Sequence, residues 1–144
     1  MNSLRKDFLL DALASYVRQT TIATKGAVLE GYRDNPEIAD AFLMYFDAKF
    51  NPEKQPAHHL EEIEARIASE MPKNVSLKAV FSVLKAMLRT NYYQGEKDYV
   101  SFKFAPERIP GLPKPVPMAE MFVYSDKVDA VHLRFGRIAR GGIR

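Results

Sequence analysis

The chain has 144 residues, 47% hydrophobic and 27% charged, with a formal net charge of +3. This is an ordinary globular mix, enough for one domain or a small domain plus part of another, and it excludes an intrinsically disordered chain. The absence of cysteine excludes a disulfide framework, a thiolate metal site and a cysteine nucleophile.

Near the N-terminus, Leu4, Phe8, Leu9, Ala12, Leu13, Tyr16 and Val17 recur at helical spacing, with Asp7, Asp11 and Arg18 left for solvent. Asp7 and Asp11 break the apolar run, so neither a signal peptide nor a membrane span is expected, and a reducing cytoplasm is the expected location. A shorter helix is expected over about Thr24–Arg33, weakened by Gly31. Asn35 is a good N-cap and Pro36 suits the first helical position. The stripe Ile38, Ala41, Phe42, Tyr45, Phe46 and Phe50 then runs to Asn51-Pro52.

Leu60, Ile63, Ile67 and Met71 predict a more charged helix, ended by Pro72, with Glu61, Glu62, Glu64 and Arg66 outward. Ser76 is a candidate cap for a helix with the stripe Leu77, Val80, Phe81, Leu84, Met87 and Leu88, reaching toward Asn91. Around Gly95 the period changes to two. Val100, Phe102 and Phe104 alternate with Tyr99, Ser101 and Lys103 as in a strand covered on one face. The stretch 106–117 holds five prolines and Gly111 and reads as an extended connection. Two further strands are expected at about Ala119–Tyr124 and Val128–Phe135.

The expected fold class is α+β: helices over residues 1–95, then a small three-stranded sheet within 96–144. No internal repeat is visible.

Charge is uneven along the chain. No acidic residue follows Asp129, whereas Arg134, Arg137, Arg140 and Arg144 all fall in the closing stretch. Arg140-Gly141-Gly142-Ile143-Arg144 pairs two glycines, which let backbone N–H groups approach a ligand, with arginines whose planar forks suit carboxylate or phosphate. By itself the pentapeptide fits a solvated glycine turn better. Neither a metal site nor a catalytic residue is assigned. His58-His59 are adjacent and share no helix face, His132 reads as structural, and Glu61, Glu62 and Glu64 read as a wet helix face. Residues 136–142 do not match G-x-G-x-x-G, so no cofactor-binding residue is assigned. A basic nucleic-acid binder would use Tyr92, Tyr93, Tyr99, Phe102 and Phe104 for stacking, but their spacing is that of a core. A free-standing helical interaction module is the other alternative.

Taken in order, Leu88–Gln94, Tyr99–Phe104, Ile109–Pro113, Met121–Ser125 and Val131–Arg144 resemble the start of the catalytic domain of the large NAD-specific glutamate dehydrogenases. The upstream segments Tyr16–Thr20, Asn35–Ala39 and Phe50–Pro52 resemble the helical region before it. The resemblance implies residues 1–95 as that helical segment and 96–144 as the truncated N-terminal part of a substrate-binding catalytic domain. It implies a parent enzyme, expected to be a homo-oligomer, that interconverts L-glutamate and 2-oxoglutarate with NAD, whose binding domain lies beyond this chain. It also implies Arg140, Gly141, Gly142 and Arg144 as substrate-binding residues, because the smaller hexameric enzymes place a carboxylate-binding lysine directly before their matching glycine pair. Phe135-Gly136-Arg137 departs from the Gly-Gly-Lys usual in the large enzymes but keeps the charge. Neither a nucleic acid nor a membrane is an expected partner, and the chain alone is expected to be inactive.

Overall fold

The computed structural model describes residues 3–57, 59–95, 97–114, 116–125, 127, 129–135 and 138–143, and for residues 3–4, 134–135 and 138–143 the backbone alone. Among the described residues five α-helices precede the sheet: α1 (Ser3–Val17), α2 (Lys25–Asp34), α3 (Pro36–Phe50), α4 (Leu60–Glu70) and α5 (Val75–Ala86). Five strands follow: β1 (Met87–Thr90), β2 (Tyr99–Phe104), β3 (Ala119–Ser125), β4 (Asp129–Phe135) and β5 (Ile138–Ile143). They form an antiparallel meander in the order β1-β2-β3-β4-β5. The α+β class is found, with all three expected strands in place and one more strand added at each edge of the sheet.

α1 is the central helix. Leu9, Ala12, Leu13, Ala14, Tyr16 and Val17 are all fully buried, so the helix is enclosed on more than the one stripe its periodicity shows. One of its polar residues, Asp11, and Arg18 just past its C-terminal end are also engaged. Asp11 accepts a hydrogen bond from the Tyr124 hydroxyl and pairs with Lys25 at 3.3 Å, and Arg18 pairs with Asp129 of β4 at 3.0 Å. These contacts hold the first helix to the far half of the sheet.

α2 is capped before its first residue by Thr24, whose side chain accepts from the Ala27 N–H, and after its last by Asn35. Asn35 stands at the expected N-cap position of α3, but without the side-chain bond expected of a cap. Its side chain makes no N-cap bond to α3; instead its backbone and side-chain N–H groups both donate to the Gly31 carbonyl, at 3.0 and 3.1 Å. Asn35 therefore closes α2, while Pro36 starts α3 by needing no N–H partner. α3 buries seven residues from Ile38 to Phe46. α4 lies outermost, with Ile67 its one fully buried side chain and Glu61 and Glu62 near the positive end of its dipole.

The cap of α5 is Asn74, not Ser76, with its side-chain oxygen accepting from the Leu77 N–H at 3.0 Å. The same helix ends earlier than its stripe predicts. At Met87 the backbone turns extended and passes straight into β1, where Met87 pairs with Phe104 and Thr90 with Phe102. Pairing with β2 outweighs helical periodicity at this point, and a register irregularity between Met87 and Arg89 leaves Leu88 exposed.

Gly31 explains itself once α5 is in place. A Cβ there would lie 3.0 Å from Cδ2 of the buried Leu77 and 3.3 Å from Nδ2 of Asn74, the α5 cap. Nothing lies within 4 Å of the equivalent atom at Gly26, in the first turn of the same helix. Both glycines weaken helix propensity by up to about 1 kcal/mol relative to alanine, but overpacking costs about 1–3 kcal/mol. Gly26→Ala should therefore raise the urea midpoint and Gly31→Ala should lower it. Equal shifts of the two variants would show that α2 does not pack this closely on α5.

Helices cover one face of the sheet. Val100, Phe102, Phe104, Phe122, Tyr124 and Val131 are buried, while Tyr99, Met121 and His132 on the opposite face are exposed. Tyr16 stacks on Phe104 with ring centroids 4.2 Å apart and meets Phe122 edge-on at 5.3 Å. The hydrophobic cluster runs without interruption from α1 to β3. The proline-rich connection is tied to the α1–α2 corner, where the Thr21 N–H donates to the Gly111 carbonyl at 2.7 Å. Gly111 has φ +78°, and a Cβ on it would lie 2.7 Å from Cγ1 of Ile22.

Candidate functional site

Arg140, Gly141 and Gly142 lie inside β5, so the glycine pair belongs to a paired strand and not to a free turn. The register sets Arg140 opposite Leu133, Gly141 opposite His132 and Gly142 opposite Val131. Arg144 lies outside the described residues. β5 is the last strand of the sheet and pairs, among the described residues, with β4 alone. Glycine inside such a strand removes the side chains that would hold a ligand away from the backbone.

Directly opposed residues share a face of an antiparallel sheet. The register thus defines a row Phe104, Glu120, Leu133, Arg140 and a second row Phe102, Phe122, Val131, Gly142. Glu120 is a buried carboxylate, 4% exposed, and accepts a hydrogen bond from the Tyr16 hydroxyl. A hydrogen-bonded polar seam continues along α1 and the sheet through Asp11 with Tyr124. Burial, and then the hydrogen bond to Asp11, raise the Tyr124 hydroxyl above the ordinary phenol range.

Sequence reasoning missed Glu120. The signal was present: Glu120, Phe122 and Tyr124 alternate, so one face of β3 carries two aromatics and one carboxylate.

Other candidates disperse. His58 lies outside the described residues. His59 is exposed, 3.4 Å from Glu62. His132 is exposed on the outer face of β4. Glu61 and Glu62 face water, whereas Glu64 lines a cleft beside Lys49. Among the described residues no group of three could hold a metal ion, and no helix is long and apolar enough to cross a membrane. Phe102, Phe104 and Tyr92 are core residues, and Tyr93 donates its hydroxyl to Asp47 at 2.6 Å. Four of the five aromatics a nucleic-acid reading would need are thus engaged in packing or hydrogen bonding.

The glycines of β5 sit in an antiparallel meander.

Residues 60–144, more than half of the chain, match the family described as bacterial NAD-glutamate dehydrogenase, catalytic domain. A NAD-specific glutamate dehydrogenase of Halomonas elongata is 37% identical across 97% of this chain, and one of Pseudomonas aeruginosa is 35% identical across 94%. A third, from Mycobacterium tuberculosis, is 34% identical across 94%. The chain spans about a tenth of the length of these relatives, 10%, 9% and 9% respectively. On this match, the chain belongs to the bacterial NAD-glutamate dehydrogenase family, of which it represents a short segment reaching into the catalytic domain.

Proposed function

We propose that this segment supplies part of the glutamate-binding cleft of a larger NAD-dependent glutamate dehydrogenase, in which L-glutamate, NAD and water give 2-oxoglutarate, ammonium and NADH. The observation that carries the reading is the run Arg140-Gly141-Gly142 within strand β5, inside the region matched to the catalytic domain. Arg140 is the carboxylate-binding cation, Gly141 and Gly142 let the substrate approach the backbone, and Arg144 adds positive charge. Residues 1–95 act as the helical support that precedes the catalytic part, and residues 96–144 as the start of the substrate-binding part. NAD, the hydride acceptor, is held elsewhere in the longer protein, which works as a cytoplasmic homo-oligomer. This chain binds and orients substrate, and such positioning is a large share of what a protein contributes to cofactor chemistry.

The test is a spectrophotometric assay of the full-length protein beside the isolated 144-residue chain. Glutamate-dependent NADH formation is expected from the full-length protein and none above background from the chain. Full-length protein that failed to reduce NAD with glutamate would remove the reading, and activity in the isolated chain would show that it is more than a part of the cleft.

A further inference from the structure

A cleft of about 480 Å³ opens between α3, α4, α5 and the short turn Pro106–Arg108, lined by Tyr45, Lys49, Glu64, Ser82, Lys85 and Arg108 among others. Three cations from three separate elements meet one carboxylate there, leaving the cleft with an excess of two positive charges. Among the described residues none of these four groups forms a salt bridge. The Lys49 ammonium donates to the Leu84 and Lys85 carbonyls, both at 3.0 Å, so it is fixed at the C-terminal end of α5 and has one proton left to donate. Lys85 lies 4.6 Å over the Phe81 ring, which steers its stem without neutralising its charge.

We propose that this cleft binds a small phosphate-bearing anion, at a site separate from β5. None of its lining residues belongs to β3, β4 or β5. A tetrahedral dianion accepts hydrogen bonds from several directions at once, which suits cations arriving from three elements, and Arg108 adds a planar fork. Volume is in the usual range for small ligands, roughly 300–1,000 Å³, and the Tyr45 ring with Leu60 offers an apolar wall for an organic substituent. Glu64 sharpens the choice. A compact phosphate can sit among the cations, whereas an extended dicarboxylate would bring its second carboxylate toward Glu64. The state of Lys49 agrees: burial first, with Arg108 adding to it and Glu64 opposing, lowers its pKa to about 8, so a bound anion would relieve charge that the protein leaves uncompensated.

The experiment is an NMR titration of the chain with inorganic phosphate, alongside succinate and chloride at matched ionic strength. Phosphate should give saturable, one-site shifts at the amides of Ser82, Lys85 and Arg108, which succinate and chloride do not reproduce. Arg108 and Lys85 are exposed, so Arg108→Gln and Lys85→Gln should leave the fold intact. Each should weaken phosphate at least about fivefold, the worth of roughly 1 kcal/mol of lost pairing. Lys127→Gln, exposed at the β3–β4 turn, should bind as the unaltered chain does. Shifts that track ionic strength alone, equal response to succinate, or unchanged affinity in both cleft variants would overturn the proposal. Glutamate kinetics of the full-length enzyme do not enter this readout, so failure here and failure of the substrate-cleft reading remain distinguishable.

Discussion

Arg140→Ala in the full-length enzyme is expected to lower kcat/KM for glutamate by at least about 30-fold while leaving the apparent affinity for NAD nearly unchanged. Removing the cation from a partly buried, charge-assisted pair commonly costs about 2–5 kcal/mol, because the partner carboxylate is left desolvated and unpaired. Every ~1.4 kcal/mol is tenfold, which sets the lower bound. Arg140→Lys should recover part of the loss, since lysine keeps the charge but lacks the planar fork. Arg137→Ala is the control and should cost much less. Steady-state kinetics with glutamate and NAD varied separately decide the matter. Unchanged glutamate kinetics in Arg140→Ala, with Arg137→Ala inactive, would move the carboxylate site to the other arginine while leaving the family membership intact.

The second large effect concerns the fold. Phe102 is fully buried where the helices meet the sheet, with ring centroids 6.3 Å from Phe46, 6.0 Å from Phe104 and 6.5 Å from Phe122. Phe102→Ala should cost about 3–5 kcal/mol, from lost transfer free energy plus a cavity that rigid aromatic neighbours cannot fill. A domain commonly has about 5–15 kcal/mol to lose. Urea unfolding followed by far-UV circular dichroism should therefore show the helical and sheet signals lost together at a much lower midpoint. Met118→Ala, at a side chain 68% exposed, should change stability by under about 0.5 kcal/mol. Helical signal persisting after the sheet melts would show that Phe102 does not join the two halves.

Much of this was legible in the sequence because hydrophobic period reports local structure directly. Tyr99–Phe104 alternates in sequence and is a strand with every second residue buried. The helix over Pro36–Phe50 begins at its proline and ends before Asn51-Pro52. What periodicity could not show is which partner an element meets. Met87–Thr90 continues the helical stripe of α5, and only β2, contributed from later in the chain, makes it a strand. β5 reads as a glycine loop because glycine weakens strand propensity, and its pairing with β4 is a tertiary fact. Asn74 and Ser76 are both acceptable caps, and local sequence does not rank them. Arg140 was visible through family resemblance, whereas Glu120 and the cleft around Lys49 depend on contacts between elements distant in sequence.

The join between α5 and β1 carries a dynamic consequence. Helix and strand meet at Met87 with no intervening loop, and the carbonyls just before the join are held by Lys49 of α3. A chain that passes between two regular elements without slack has no hinge there, so neither element can open and leave the other intact. Native-state hydrogen exchange would register α5 and β1 as one cooperative unit, and a displacement at the C-terminal turn of α5 would be delivered to the edge of the sheet opposite β5.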